Sequence, residues 1–276
     1  MSSAVIKNGH VIDSSTRSLI SLRYKRITRA VNSEFWQSCS ETDHSLYVGS
    51  YGRNTAINTS DLDVMVILPE NEYDHFASLR GNGPSKLLQA VRNALLSTYP
   101  NTSIRGDGQV VVVNFSDGMK FEILPAFYHM VGFGIYKSWD GTFIYPNSNM
   151  GGNWLSTNPK AEQEAITKQN TYSNGLLVET CKHIRYVRDT VYSSYHLSGI
   201  LIDAFVYDAI DGWHFSREDE QHYDSTITYE QHLVKKYDEL SYRRLIEPTL
   251  NAPGSNMPID PKQGWSVLGK VLDFMA

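Results

Sequence analysis

The stretch from Leu46 to Pro69 constrains this chain more than any other, because it joins a glycine–serine turn to two closely spaced aspartates. Its pattern predicts three elements in order: a short apolar strand at 46–48, a tight turn at 49–52 and a second strand at 62–68. Side chains along a strand alternate between its two faces, so Asp61 and Asp63 are expected on one face, about 7 Å apart.

Asp61 and Asp63 would form a pair of like charges that is costly to hold together unless a cation neutralises it. Mg²⁺ suits this role, since it takes oxygen ligands from one or two carboxylates and completes its shell with substrate phosphates. Gly49 would let backbone N–H groups approach a phosphate closely, and Ser50 would add a hydroxyl contact. The pattern also allows a solvated aspartate at a strand start beside an ordinary Ser-Gly turn.

A third acidic residue, Glu122, lies inside an otherwise apolar strand predicted at 119–126, which returns from a β-branched strand at 109–114. A carboxylate in such a strand costs free energy unless something pairs with it. The residue types leave two alternatives open. Glu122 is either a third ligand beside the two aspartates or a glutamate on the solvent face of an edge strand.

Together these residues resemble the nucleotidyltransferase superfamily of DNA polymerase β, whose signature is Gly-Ser followed by Asp-apolar-Asp. Ten residues separate Ser50 from Asp61, which fits that signature. In the superfamily a third carboxylate arrives on a later strand, often followed by apolar-apolar-Pro-Ala. The segment FEILPAF at 121–127 matches, with Glu122 where many relatives carry Asp. Glutamate is longer by a methylene, but its ligand chemistry is unchanged.

The composition of the 276 residues, 41% hydrophobic and 20% charged, predicts an ordinary soluble globular protein of one large or two small domains. A formal net charge of −5 argues against nucleic acid as a partner. Cys39 and Cys181, the two cysteines, argue against a disulfide framework or a zinc site and favour a reducing cytoplasm. Neither a signal peptide nor a run of about 20 apolar residues is seen, so no membrane partner is expected.

Two helices are predicted in the first half of the chain, one before the strands and one between them. A long N-terminal helix runs from Ser14 to about Cys39, with an apolar stripe on one side. Its basic residues fall mostly on the other side, which is interpreted as a solvated helix face. A loop is predicted at 70–73, followed after a break at 80–84 by a helix that Ser85 caps.

The second half of the chain shifts toward helix. Helices are predicted at 159–172, 175–189, 194–210, 229–245 and 261–274, with polar loops at 212–225 and 248–261. In the second of these helices, Lys182, Arg185 and Arg188 recur at every third position. They are therefore expected to line one side of it.

Three further segments narrow the resemblance. They are WLSTNP at 154–159, ETCKHIRYVRD at 179–189 and SSYHLSGILIDAF at 193–205. Each is similar to a segment of the cGAS/DncV-like nucleotidyltransferases, the group that contains bacterial signal-nucleotide synthases, animal cyclic GMP–AMP synthase and oligoadenylate synthase. Ser198 departs from the group, whose members commonly carry an acidic residue there. No clustered Cys and His resemble the zinc-binding insertion of the animal enzyme, and His183 and His196 are interpreted as surface or packing residues.

The resemblance implies an α+β fold with a polymerase β-like catalytic lobe at 1–150 and a helical nucleotide-binding lobe at 151–276. The catalytic lobe would hold a mixed or antiparallel central sheet with flanking helices, the long N-terminal helix would span both lobes, and the active site would lie in the cleft between them. Asp61, Asp63 and Glu122 would be the catalytic residues and the ligands of two Mg²⁺ ions, with Mn²⁺ as a substitute. Gly49, Ser50, Lys182 and Ser194 would contact phosphate, and Tyr195 would stack on a base.

The activity implied is the joining of NTPs, ATP among them, into a cyclic or short linear oligonucleotide second messenger, with release of pyrophosphate. The role implied is anti-phage defence in the bacterial cytoplasm, with a regulatory protein partner and a downstream effector reached through the product. Two alternatives stay open: a nucleotidyltransferase that modifies tRNA or a small molecule, and a catalytically inactive nucleotide-binding protein.

Overall fold

The computed structural model describes residues 5–57, 61–216, 227–242, 245 and 248–276. Contacts between residues divide the chain into two compact units. The first, here called the sheet unit, comprises Asp13–Gly52 and Asp61–Pro159. The second, here called the helical unit, comprises Met1–Ile12, Arg53–Ser60 and Lys160–Ala276. The domain division at residue 150 that the resemblance implies stays a proposal.

The sheet unit is built on a mixed sheet, which confirms the predicted α+β class. Within the described residues it has seven strands: β1 Ser45–Tyr47, β2 Leu62–Ile67, β3 Ser103–Asp107, β4 Val110–Asn114, β5 Lys120–Val131, β6 Ser138–Asn147 and β7 Asn153–Thr157. Their order is β1-β2-β5-β4-β3, with β6 added to β5 and β7 to β6. The β2–β5 pair is parallel and the other pairs are antiparallel.

The helices of the sheet unit are α1 Ser14–Phe35, α2 Gly49–Gly52, α3 Glu70–Ser78 and α4 Gly83–Thr98. Helix α1 packs against α4, and α4 packs against β3 to β6. Burial of Ile27, Leu87 and Val91, none of which is more than 2% exposed, removes apolar surface from water along these contacts. The apolar stripe predicted for α1 is therefore the side on which this helix packs.

In the sheet unit, three helix boundaries differ from the sequence prediction for local reasons. Helix α1 ends at Phe35 rather than near Cys39, and Gln37 then adopts a left-handed backbone with φ of +51°. Helix α4 begins at Gly83, because proline is tolerated in a first turn and the side chain of Asn82 accepts from the backbone N–H of Ser85. The loop predicted at 70–73 is the first turn of α3.

The helical unit contains α5 Pro159–Tyr172, α6 Leu176–Val191, α7 Gly199–Ala209, α8 Tyr229–Leu240, α9 Trp265–Met275 and a short hairpin of β8 Leu250–Asn251 with β9 Pro258–Ile259. Its core includes Leu177, Ile184, Leu201, Phe205 and Leu268, all fully buried. The predicted helix 229–245 ends at Leu240, and residues 243 and 244 lie outside the described residues. Most of the loop predicted at 212–225 lies outside them as well.

A buried ionic cluster, formed by Arg53, Glu162, Arg185 and Asp203, lies inside the helical unit. Arg53 donates to Asp203 at 2.8 Å and to Glu162 at 2.9 Å. Arg185 donates to both carboxylate oxygens of Asp203, at 2.7 and 2.9 Å. Burial alone would raise the pKa of Asp203, but Arg185 and Arg53 outweigh it and hold that pKa below its usual range.

The cluster adds to the prediction for α6. Arg185 is 1% exposed, so this member of the basic series lies in the core. The carboxylate of Asp203 on α7 draws it into the core, where an unpaired arginine would be strongly disfavoured.

Every helix in the described part of the chain is too short or too polar to cross a membrane.

Candidate active site

The Gly-Ser segment forms a single helical turn, α2, rather than the tight turn predicted. Gly49 has φ of +58°, a backbone conformation that residues with a side chain rarely adopt. A Cβ on Gly49 would lie 1.9 Å from Oδ2 of Asp63, so the carboxylate rests directly against the glycine. The backbone N–H of Val48 also donates to the carbonyl oxygen of Asp63 at 2.9 Å. Glycine is therefore required at position 49 both for the backbone and for the space.

The parallel pairing of β2 with β5 brings the second and third predicted carboxylates together. Asp63 lies directly opposite Glu122 in this register, and Leu62 lies opposite Phe121. Leu62 and Phe121 are buried, so alternation turns Asp63 and Glu122 to the other face of the sheet. Strand β5 also pairs with β4 on its other side, which excludes the alternative of an edge strand.

Asp61 immediately precedes β2 and lies two residues before Asp63, on the same face. Its side chain is 55% exposed and that of Glu122 is 29% exposed. Asp61, Asp63 and Glu122 are here called the acidic face. The structure thus brings together, on one side of the sheet unit, the three carboxylates that the sequence predicts as a group.

Lys120 also belongs to this face, and sequence reasoning missed it. Its ammonium lies 2.7 Å from Oδ2 of Asp61 and 2.8 Å from Oε1 of Glu122, so it bridges the two carboxylates. Burial acts to lower the pKa of Lys120, but the hydrogen bonds and charges of Asp61 and Glu122 outweigh it and raise that pKa. The signal was present in the sequence, because a residue two positions before Glu122 shares its strand face.

The donor set of the acidic face fits a divalent cation such as Mg²⁺. Its oxygens are the hard carboxylate ligands that Mg²⁺ prefers, and a cationic group already bridges two of them. Within the described residues, no three His, Cys, Asp or Glu side chains, those of the acidic face included, have the spacing of a formed metal site. The fit therefore rests on the chemistry of the donors and on the attraction of this face for positive charge.

Lys182, the predicted phosphate contact of the helical unit, is fixed on α6 by Glu179. Its ammonium lies 3.3 Å from Oε1 of Glu179, and the two side chains are 12% and 9% exposed. Nearby, the rings of His10 and His183 are in hydrogen-bond contact at 3.1 Å, and His10 stacks on Tyr186. His183 is thus a packing residue, as predicted.

Ser194 and Tyr195 do not open a helix, which corrects the prediction of one from 194 to 210. Helix α7 begins at Gly199, because the side chain of Ser198 accepts from the backbone N–H of Leu201 and caps it. Ser194 and Tyr195 lie in the exposed turn before this cap. The ring of Tyr195 is 50% exposed, and the Lys270 ammonium lies 4.6 Å from its centroid. The unusual Ser198 thus has a local role as an N-cap.

The predicted site residues divide between the two units. Gly49, Ser50 and the acidic face belong to the sheet unit. Lys182, Ser194 and Tyr195 belong to the helical unit.

Solved structures share this fold at low sequence identity. The CdnE cyclic dinucleotide synthase of Elizabethkingia meningoseptica, solved with GTP and Apcpp, is 13% identical, with a TM-score of 0.61 over 96% of this chain and 97% of its own. The CdnE c-UMP-AMP synthase of Rhodothermus marinus is 14% identical, with a TM-score of 0.63 over 96% and 91%. CdnG of Bradyrhizobium diazoefficiens, a CD-NTase in complex with GTP, is 12% identical, with a TM-score of 0.63 over 97% and 87%.

The sequence itself matches one family. No curated protein is significantly similar to the chain. The family model of the Second Messenger Oligonucleotide or Dinucleotide Synthetase domain, SMODS, matches residues 3–170, more than half of the chain. This match and the shared fold confirm the resemblance to cGAS/DncV-like enzymes. The chain therefore belongs to the SMODS family and is a nucleotidyltransferase of the group that makes cyclic dinucleotides and oligonucleotides.

Proposed function

We propose that this protein joins NTPs into a cyclic, or short linear, oligonucleotide second messenger and releases pyrophosphate in a Mg²⁺-dependent reaction. The observation that carries the proposal is the β2–β5 register, in which Asp63 lies opposite Glu122 beside Asp61. A non-catalytic relative would not need three carboxylates on one face, since their mutual repulsion costs free energy. Their presence on one face supports a working metal site.

Asp61, Asp63 and Glu122 would hold two Mg²⁺ ions, with Mn²⁺ as a substitute. When bound, the ions lower the pKa of an acceptor ribose hydroxyl and neutralise charge on the phosphates. The carboxylate of Asp63 lies against the backbone of Gly49, so its orientation is set before substrate binds. Ser50, the next residue of the same turn, would offer its hydroxyl to the triphosphate.

The helical unit would supply the remaining contacts to the nucleotide. Lys182 is oriented by Glu179, and its positive charge would stabilise the pyrophosphate as it leaves. Ser194 would contact phosphate. The exposed ring of Tyr195 would stack on a base, a contact that adds affinity with little selectivity because every base has an aromatic face.

NTPs are the substrates that the comparisons support, with ATP expected among them. GTP occurs in two of the related structures, and Apcpp and Upnpp occur in the CdnE structures. A role in anti-phage defence (CBASS), an effector reached through the product and a location in the cytoplasm are proposed on the family resemblance. A regulatory protein partner is proposed on the complex of Escherichia coli CdnC with HORMA, which shares the fold at a TM-score of 0.53.

The direct test is incubation of the purified protein with all four NTPs and Mg²⁺ or Mn²⁺. Phosphatase-treated products are then resolved by mass spectrometry. We expect a phosphatase-resistant product that disappears in Asp61→Asn. Asp107→Asn, which removes an exposed aspartate paired with Arg105 on the same strand, is the matched control and should retain activity.

The alternatives give different results in the same assay. Label transferred from an NTP to cell RNA or to a small-molecule acceptor, without a cyclic or oligomeric product, would replace the proposal with a tRNA-modifying or small-molecule nucleotidyltransferase. Full activity of Asp61→Asn would contradict the proposed metal site.

A further inference from the structure

Lys120 has no part in the function proposed above, yet its side chain lies inside the acidic face. The ammonium bridges Asp61 and Glu122 at 2.7 and 2.8 Å, and its side chain is 32% exposed. Its backbone position is fixed, because Lys120 begins β5 and pairs with Asn114 of β4. The lysine therefore stands where the two carboxylates converge, on a central strand of the sheet.

We propose that Lys120 is a resident cation of the active site. It holds Asp61 and Glu122 together before metal binds, and it competes with the metal for them. The inference rests on the proposed function, because it assigns Lys120 a positioning role toward the ion that these carboxylates would bind.

Lys120 relieves electrostatic repulsion within the acidic face. Three carboxylates on one face repel one another, and Lys120 supplies a compensating charge that links two of them. Without it, the side chain of Asp61, which is more than half exposed, would gain by turning away into water. The bridge thus offsets the repulsion within the metal-free site and stabilises it, and a metal ion must give up this stabilisation when it replaces the ammonium.

The chemistry of lysine also suits a cation that a metal ion can displace. An ammonium carries donors and no acceptor, so it cannot share a carboxylate oxygen with a metal ion without repulsion. It is a compact charge on a flexible stem, and it can withdraw from the site without moving the strand. An arginine in a forked pair would be harder to displace.

A surface ion pair in the same unit provides a matched control. Lys137 on the loop before β6 pairs with the single carboxylate of Glu70, and these side chains are 46% and 51% exposed. Lys137→Met removes an ammonium from the sheet unit without touching the acidic face. Any effect of general charge on metal binding would appear in both variants, whereas an effect of the bridge appears only at Lys120.

The test measures Mn²⁺ affinity without nucleotide, by electron paramagnetic resonance of the free ion. We expect Lys120→Met to bind Mn²⁺ about tenfold more tightly than the wild type, because no ammonium must be displaced. Lys120→Arg should bind no more tightly than the wild type, and Lys137→Met should match it. The metal-free Lys120→Met protein should also melt at a lower temperature than the wild type and gain more from added Mn²⁺.

A measurement on the wild type covers the case in which Lys120→Met fails to fold. Amine acetylation, read by mass spectrometry, should label Lys120 slowly without metal and faster at saturating Mg²⁺, with Lys137 unchanged. Unchanged labelling of Lys120 would overturn the proposal, as would a Lys120→Met affinity within twofold of the wild type or weaker. Absence of Mn²⁺ binding in the wild type, both without nucleotide and with a non-hydrolysable NTP analogue present, would instead contradict the proposed function.

Discussion

The acidic face and the buried ionic cluster are both built from carboxylates and cations, but they differ in charge balance and exposure. The cluster pairs two arginines, Arg53 and Arg185, with two carboxylates inside the core. In the acidic face, one lysine, Lys120, bridges two carboxylates, those of Asp61 and Glu122, and this face is open to solvent. A balanced, closed set of charges maintains the fold, whereas an unbalanced, accessible set has capacity for a further cation.

The largest effect on stability is expected from breaking the balanced cluster. Arg185→Met leaves the buried Asp203 with one of its two arginine partners, and loss of one member of a buried pair costs about 3–5 kcal/mol. Urea unfolding would measure this loss. Arg105→Met, which removes an exposed arginine paired with Asp107, should cost about 1 kcal/mol or less. Equal losses of unfolding free energy in the two variants would show that the buried cluster contributes no more to stability than an exposed ion pair.

The largest effect on activity is expected from filling the space beside Asp63. Gly49→Ala places a Cβ 1.9 Å from the carboxylate, so product formation should fall at least about a hundredfold because the misplaced group loses its geometry. Gly118→Ala is the matched control. Gly118 also has a positive φ, of +89°, but a Cβ there meets nothing within 4 Å. If both variants lost activity equally, backbone strain rather than the displaced carboxylate would be responsible.

A smaller effect concerns acid stability and separates the two regions further. The pKa of Asp203 is below its usual value, so its contribution to stability is fully present above the unfolded pKa of 3.8 and is lost as pH falls through the lower folded pKa. Arg185→Met should raise that folded pKa and move the acid-unfolding midpoint upward, as followed by circular dichroism. An unchanged midpoint would contradict the pairing.

Much of the acidic face could be predicted from the sequence, because its information is local. Alternation along β2 fixes the common face of Asp61 and Asp63, and the hairpin of β4 and β5 identifies the strand of Glu122. The resemblance supplied the grouping, and the parallel register agrees with it. Lys120 follows the same alternation, so the sequence could also have predicted it on the acidic face.

The buried cluster could not be predicted, because its information is long-range. Helical spacing places Arg185 with Lys182 and Arg188, and only contact with Asp203 on α7 shows that this position is enclosed. Similarly, the N-cap side chain of Ser198 sets the start of α7, and the periodicity of apolar residues does not. Strands β3, β6 and β7 lacked a clear local pattern and form through pairing with the central strands.

The most direct test of the central claim is Glu122→Gln, assayed with all four NTPs and Mg²⁺ and compared with the wild type in melting temperature. The variant keeps the shape of the side chain opposite Asp63 and removes its charge. We predict that product formation falls at least about a hundredfold, since a metal ligand contributes several kcal/mol to the transition state, while the melting temperature changes little. A fully active, stable Glu122→Gln protein would contradict the assignment of the acidic face as the catalytic site.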